Sequence, residues 1–147
     1  MSEINVMHAN KSHKDFLIYA NKMIDVENHG YEDSDFSINI DNDYFGDRQK
    51  FQCLVAEADG KPVGMILYSY FYWASDGEVL WVSQMYIDPD YRKKGVFFKI
   101  ISKLREENPD IRILSCATGN GNERMQKLLE FYGAVEMKNL KFYYKIV

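Results

Sequence analysis

The stretch Pro89-Asp-Tyr-Arg-Lys-Lys-Gly-Val-Phe-Phe-Lys-Ile-Ile101 joins the end of a predicted strand to the start of a predicted helix. A strand that enters a helix through a glycine-containing turn leaves several backbone N–H groups without intrahelical partners, and the helix dipole makes them attractive to an anion. Arg92, Lys93 and Lys94 add positive charge at this helix start, where the dipole favours acidic residues. The pattern indicates either a site for phosphate groups or a basic helix start exposed to water.

The elements on both sides of this stretch predict an α+β fold with a mixed sheet. Three strands separated by short turns precede it, which predicts an antiparallel meander, and the turn Asp59-Gly60 is a strong hairpin signal. The order strand, helix, strand that follows is a crossover, which makes its two strands parallel neighbours. The predicted elements are strand 4–7, a helix with an N-cap at Ser12, strands 51–58, 63–73 and 79–87, helix 93–106, strand 111–117, helix 123–132, and one or two strands in 134–147, which gives six to seven strands.

The composition is that of one ordinary globular domain of 147 residues, with 46% hydrophobic and 27% charged residues. No apolar run approaches the roughly 18–20 residues that span a bilayer, and the N-terminus lacks a secretory signal pattern. Cys53 and Cys116 each lie in an apolar, strand-like run and share no metal-ligand spacing with the histidines, so we expect buried thiols and no metal site. Together these features predict a cytoplasmic protein that does not enter a membrane.

The net charge of −4 is unevenly distributed along the chain. The acidic segment, residues 23–47, holds eight Asp and Glu residues and no Lys or Arg, which leaves 14 acids and 18 bases elsewhere, a balance of +4. This segment is either a solvated acidic loop or an acidic surface that attracts a cationic partner. The overall negative charge disfavours nucleic acid as a partner.

Two motifs resemble those of the GCN5-related N-acetyltransferases, the GNAT family. Tyr91-Arg-Lys-Lys-Gly-Val96, preceded by Met85-Tyr-Ile-Asp-Pro89, is similar to the acyl-CoA-binding motif Arg/Gln-x-x-Gly-x-Gly/Ala and its preceding strand. Asn122-Glu-Arg-Met-Gln-Lys-Leu-Leu-Glu-Phe-Tyr-Gly-Ala134 is similar to a helix that lies downstream in the same family. The resemblance covers nearly the whole chain, most firmly residues 51–134, and the two motifs occur in the expected order.

The resemblance implies a GNAT-like fold, with helices on both faces of a mostly antiparallel sheet, and acetyl-CoA as the acyl donor. The turn after the third meander strand would hold the CoA diphosphate through backbone N–H groups, and the strand itself would bind the pantetheine arm like an added strand. The implied donor-binding residues are Met85, Tyr86, Ile87, Arg92, Lys93, Lys94, Gly95, Val96, Phe97 and Asn122.

The chain departs from the family pattern at several positions. Phe97 occupies the slot of a small residue, where its ring would either block the diphosphate or point into the core. Its place beside the apolar stripe of Val96, Ile100 and Ile101 favours the core. A leucine replaces the tyrosine that many members use to protonate the thiolate; Tyr132, three residues on, would either substitute for it or pack at the helix end. Ser83 and Gln84 stand where many members carry a glutamate base, so a base would come from Asp76, Glu78, the acidic segment or water.

These features predict an N-acetyltransferase that moves an acetyl group from acetyl-CoA directly to a small cationic amine, a polyamine or an amino-acid-like acceptor. The missing carboxylate and tyrosine leave open a CoA-binding regulatory module with impaired catalysis. A tRNA- or protein-directed acetyltransferase is a further alternative, and the charge of −4 disfavours the tRNA-directed form. A strand at 141–147 with an exposed edge would allow a homodimer.

Overall fold

The computed structural model describes residues 2–30 and 36–138, together with 141, 143 and 145. The chain divides into two compact units, Met1–Ala117 and Thr118–Val147. The first unit contains β1 (Ile4–His8), a 3-10 turn (Lys11–His13), α1 (Lys14–His29), α2 (Phe36–Asp43), β2 (Gln52–Ala58), β3 (Lys61–Trp73), β4 (Gly77–Ile87), a 3-10 turn (Pro89–Tyr91), α3 (Val96–Glu107) and β5 (Leu114–Cys116). The second unit contains α4 (Glu123–Tyr132).

The sheet of the first unit follows the chain in the order β1-β2-β3-β4-β5. The first three pairings are antiparallel, and β4 pairs with β5 in parallel across the α3 crossover. This arrangement confirms the α+β fold and the mostly antiparallel mixed sheet. The described residues form five strands, so the prediction of six to seven is wrong for them. Residues 134–138 form no strand, and the strand predicted at 141–147 lies in part outside the described residues.

Helices cover both faces of the sheet, as predicted. Alternate strand residues point to opposite faces, and one set, including Val55, Met65 and Tyr86, packs with buried residues of α1 and α2. The other face meets α3, where Val96 and Ile100 approach Gly64 so closely that a Cβ there would lie 3.4 Å from each side chain. The start of α3 therefore packs against β3 at Gly64.

Four local predictions are corrected by the structure. Helix α3 begins at Val96 rather than at residue 93, because Lys93 and Gly95 adopt positive φ angles of 61° and 82°, which interrupt a right-handed helix. The strand predicted over 111–117 is limited to β5. Cys116 at its end is exposed, so the expectation of a buried thiol is wrong there, whereas Cys53 in the core is buried as expected. No helix within the described ranges is long and apolar enough to cross a bilayer.

The fourth correction concerns the start of α1, where Ser12 is not the N-cap. His13 occupies that position without a side-chain cap, and Asn10 caps the 3-10 turn Lys11–His13 that precedes the helix. Asn10 Oδ1 accepts a hydrogen bond from the Ser12 N–H at 2.9 Å, and His13 Nδ1 accepts one from the Asn10 N–H at 3.0 Å. Because Nδ1 is an acceptor here, Nε2 carries the proton and donates it to Glu57 Oε1 at 2.7 Å. The buried His13 ring, 2% exposed, therefore ties the beginning of α1 to β2.

We expect His13→Ala to lower the free energy of unfolding by about 3 kcal/mol, because it leaves a part-buried carboxylate and a backbone N–H without their partner. Urea denaturation measures the loss. Ser12→Ala is the matched control, since the Ser12 hydroxyl bond is exposed and its loss is expected to cost less than about 0.5 kcal/mol. Equal destabilisation by the two variants would contradict the role assigned to His13.

Candidate functional site

The edge of β4 that faces β5 is only partly paired. β5 pairs with residues 80–82 of β4, and no strand of the described first unit pairs with residues 83–87 on that side. The register between β3 and β4 shifts at Leu67/Tyr68, which leaves Ser83 as an extra residue in a β-bulge. β4 is paired on both sides over residues 80–82, and beyond the bulge its pairing within the described first unit is to β3 alone. The end of β4 is therefore open on the side that faced β5.

Backbone hydrogen bonds show which residues turn toward this open edge. The Asp88 N–H bonds to the Val63 carbonyl at 2.8 Å, so Asp88 and every second residue before it face β3. Met85 and Ile87 consequently direct their N–H and C=O groups to the open edge. Tyr86 faces β3 with its backbone and α1 with its side chain, so it does not reach the edge.

The side chain of Tyr86 belongs to the core rather than to the open edge. Its ring lies 6.1 Å from that of Tyr19 in an edge-on arrangement, and it is 2% exposed. Burial, followed by the neighbouring Tyr19, raises the pKa of Tyr86, so its phenol stays protonated at neutral pH. Of the three strand residues predicted to bind the donor, only Met85 and Ile87 are brought to the edge.

The turn between β4 and α3 exposes its two lysines. Lys93 and Gly95 both have left-handed backbones, and Lys93 and Lys94 are exposed. Lys94 Nζ lies 5.4 Å from the centre of the Tyr91 ring. Gly95 is the N-cap residue of α3 and supplies no side-chain cap, and the first turn of α3 contains no acidic residue. Positive side chains and the positive end of a helix dipole thus meet at one place, which favours an anion.

The Phe97 ring does not lie in front of this turn. Val96 and Phe97 are both buried, Phe97 to 6% exposure, while the next ring, Phe98, is 43% exposed. The Phe97 and Phe98 rings pack edge-on at 5.2 Å. The alternative in which Phe97 points into the core is therefore the one that the structure supports.

Arg92 is engaged within the protein. Its Nε donates to the Ile87 carbonyl at 2.8 Å, and its Nη2 donates to Glu27 Oε1 on α1 at 2.5 Å. Its guanidinium also lies 5.8 Å from the centre of the Tyr86 ring. Sequence reasoning placed Arg92 at the turn but missed Glu27, because the two residues are 65 positions apart.

The two polar residues of the predicted chemical site lie at and beside the bulge. Ser83 is exposed, and its hydroxyl donates to the Leu67 carbonyl at 3.2 Å. Gln84 Oε1 and Ser115 Oγ are buried, and neither has a hydrogen-bond partner in the described part of the chain. Ser115 on β5 was not predicted from sequence. An acceptor atom without a partner beside an open strand edge suits the binding of a proton-donating group such as an amine or a water.

The carboxylates proposed as alternative bases lie elsewhere. Glu78 pairs with Tyr72 at the hairpin end of β4, five residues from Ser83, which corresponds to roughly 16 Å along a strand. Asp76 lies beyond it in the hairpin turn, where it accepts a hydrogen bond from Ser75. Neither carboxylate is brought to the bulge.

The remaining two candidates, Asn122 and Tyr132, lie in the second unit. Asn122 is the N-cap of α4, and its Oδ1 accepts from the Met125 N–H at 3.2 Å. Tyr132 is the last residue of α4 and is half-buried. Gly133, with a φ of 99°, ends the helix as predicted.

Ion pairs neutralise part of the acidic segment. Asp41 pairs with Lys14 at 2.5 Å, Asp43 pairs with Lys50 at 2.8 Å, and Glu27 pairs with Arg92. The bases come from outside the segment. Its capacity to attract a cation is therefore smaller than the count of eight carboxylates suggested.

A family profile described as "Acetyltransferase (GNAT) family" matches residues 18–134 of the chain. The chain belongs to the GNAT acetyltransferase family. Two curated relatives named thialysine N-epsilon-acetyltransferase are similar to this GNAT protein. The one from Sus scrofa is 39% identical over 72 residues, covering 44% of this chain and 42% of the relative. The one from Bos taurus is 33% identical over 105 residues, covering 65% and 62%. The chain thus spans less than two thirds of these relatives' lengths.

Solved structures of acetyltransferases share the fold of this GNAT protein. A "possible acetyltransferase" from Clostridium difficile 630 superposes with a TM-score of 0.81 at 21% identity, covering 98% of both chains. An aminoglycoside N-acetyltransferase in complex with CoA superposes with a TM-score of 0.77 at 20% identity, covering 99% of this chain and 96% of the other. At these identities the likeness establishes the fold.

Proposed function

We propose that this GNAT protein transfers an acetyl group from acetyl-CoA to the primary amine of a small cationic acceptor. The observation that carries the proposal is the open edge of β4, which leads directly into a basic, left-handed turn and the start of α3. An extended pantetheine arm suits an unpaired strand edge, and a diphosphate suits a helix start. One surface therefore offers complementary groups to the pantetheine arm and to the diphosphate that follows it in CoA.

Each part of the turn has a role in holding the donor. The backbone N–H groups of residues 93–97 at the turn and the helix start would bind the diphosphate, and Lys93 and Lys94 would supply positive charge to the phosphates. The Arg92 N–H is already bonded to the Pro89 carbonyl at 3.3 Å. Met85 offers its N–H and C=O to the amide groups of the arm. Phe97 contributes through its backbone while its ring stays in the core. Asn122, on α4, is proposed to contact the arm.

The reaction needs positioning and electrostatic stabilisation more than covalent chemistry. The amine nitrogen attacks the thioester carbonyl, a C–N bond forms as the C–S bond breaks, and the proton lost by the amine passes to water. An N–H at the β4 edge would stabilise the negative charge on the carbonyl oxygen. Ser83 and Gln84 are proposed to orient the amine or a water beside it, and Tyr132 to protonate the departing thiolate.

The acceptor class rests on charge and on the relatives. Thialysine N-epsilon-acetyltransferase is a name that points to an amino-acid-like amine, and aminoglycosides are amines as well. Negative charge on the acidic segment favours cationic over acidic acceptors, even though part of it is paired. A cytoplasmic location and a homodimer remain predictions.

Calorimetric titration with acetyl-CoA, followed by a thiol-release assay on a panel of primary amines, tests the proposal. We expect acetyl-CoA to bind. We also expect the release of the CoA thiol to be at least about tenfold faster with diamines and lysine-like amines than with acidic amino acids. Binding without release from any amine at high concentration would favour a regulatory module. Absence of CoA binding combined with salt-dependent RNA binding would overturn the proposal in favour of a nucleic acid partner.

A further inference from the structure

The side chain of Arg92 closes the turn that follows β4. Arg92 Nε donates a hydrogen bond to the carbonyl of Ile87, the last residue of β4. This bond spans the 3-10 turn Pro89–Tyr91 and holds residue 92 close to the end of the strand. Arg92 is the residue immediately before Lys93, whose left-handed backbone L side chains rarely adopt. The direction of the following N–H groups therefore depends on where Arg92 is held.

Glu27 holds the other end of the guanidinium. The Nη2–Oε1 distance is 2.5 Å, and both side chains are mostly shielded, Arg92 to 20% and Glu27 to 28% exposure. The Tyr86 ring lies 5.8 Å from the guanidinium carbon, and Tyr86 itself is fixed against Tyr19 of α1. Arg92 thus has partners on the strand end, on α1 and on a buried ring, a combination that fixes a planar guanidinium.

We infer that Glu27 is a positioning residue for the donor-binding turn and acts through Arg92. The inference rests on the proposed function, since it assigns Glu27 to the turn that would hold the diphosphate. Arg92 is then primarily a structural anchor of the turn, and Lys93 and Lys94 provide the exposed charge. Helix α1 lies on the opposite face of the sheet from α3. Through Glu27 and Arg92 it determines how well the turn before α3 matches its anion.

Removal of the Glu27 charge has two effects that change the affinity for CoA in opposite directions. Glu27→Gln takes one negative charge away from the neighbourhood of a polyanionic ligand, so Coulomb attraction alone would tighten CoA binding. Loss of the anchor on Arg92 loosens the turn and weakens binding. We expect the second effect to exceed the first, with the CoA Kd rising about fivefold.

Isothermal titration with CoA on four proteins measures the effect: the wild type, Glu27→Gln, Arg92→Lys and the double variant. Arg92→Lys keeps the charge but loses the two-sided hydrogen bonding, so we expect a similar rise in Kd. If Glu27 acts through Arg92, the double variant binds no more weakly than Arg92→Lys alone. Glu106→Gln, which makes the same charge change at an exposed position of α3, is the matched control.

Amide resonances of Lys93, Lys94 and Gly95 in the ligand-free protein provide a readout that general destabilisation does not move. We expect them to shift in Glu27→Gln and not in Glu106→Gln. An unchanged or lower CoA Kd in Glu27→Gln, or additive losses in the double variant, would overturn the inference while leaving the donor site intact. A wild type that binds no CoA would overturn both the donor site and the role of Glu27 in it.

Discussion

Phe97→Ala is expected to lower the free energy of unfolding by about 3 kcal/mol and to leave the protein with no gain in CoA affinity. The ring is 6% exposed and lies in the apolar stripe of α3 with Val96 and Ile100, which are also buried. Truncation would leave a cavity among the buried side chains of α3. The loss of stability comes from lost packing. CoA affinity should not increase, because the backbone N–H of residue 97 is retained.

The CoA affinity of Phe97→Ala distinguishes the two roles considered for Phe97. If the ring blocked the diphosphate, its removal would tighten CoA binding, as measured by titration calorimetry, whatever happened to stability. Phe98→Ala is the matched control, since its ring is 43% exposed and its loss is expected to cost less than about 1 kcal/mol. A Phe97→Ala protein that matched this control in urea denaturation and bound CoA more tightly would contradict the packing role.

The periodicity of apolar residues predicted most of the fold and the inward position of Phe97. Val96, Ile100 and Leu104 recur at helical spacing, and all three are buried on α3. The crossover rule likewise predicted the parallel pairing of β4 and β5. These features depend on hydrophobic burial and chain connectivity, both of which are encoded locally in the sequence.

The features that shape the candidate site were not predictable from local patterns. Lysine carries no preference for a left-handed backbone, so the conformation of Lys93 had no signal in the sequence. The bulge at Ser83 contains no glycine that would have marked it. The Glu27–Arg92 pair joins residues far apart in the chain, and the sequence indicated only that one region is acidic and the other basic.

The second large effect is expected at Met85, where a proline should remove one N–H from the open edge of β4. Met85 faces that edge rather than β3, so the substitution breaks no hydrogen bond of the β3–β4 ladder. We expect Met85→Pro to weaken CoA binding at least about tenfold, because the pantetheine arm loses a donor and meets the pyrrolidine ring instead. Acetyl transfer should fall further, by about 100-fold, if this N–H also stabilises the carbonyl oxygen.

Two further substitutions separate the lost N–H from other effects. Met85→Ala shortens the side chain but keeps the N–H, so its loss of CoA affinity is expected to be much smaller than that of the proline variant. Gln84→Pro, whose N–H faces β3, should instead destabilise the fold by about 3 kcal/mol. Should Met85→Pro fail to fold in circular dichroism, Ile87→Pro tests the same edge two residues along. A folded Met85→Pro protein that bound CoA as the alanine variant does would show that the donor does not use this edge.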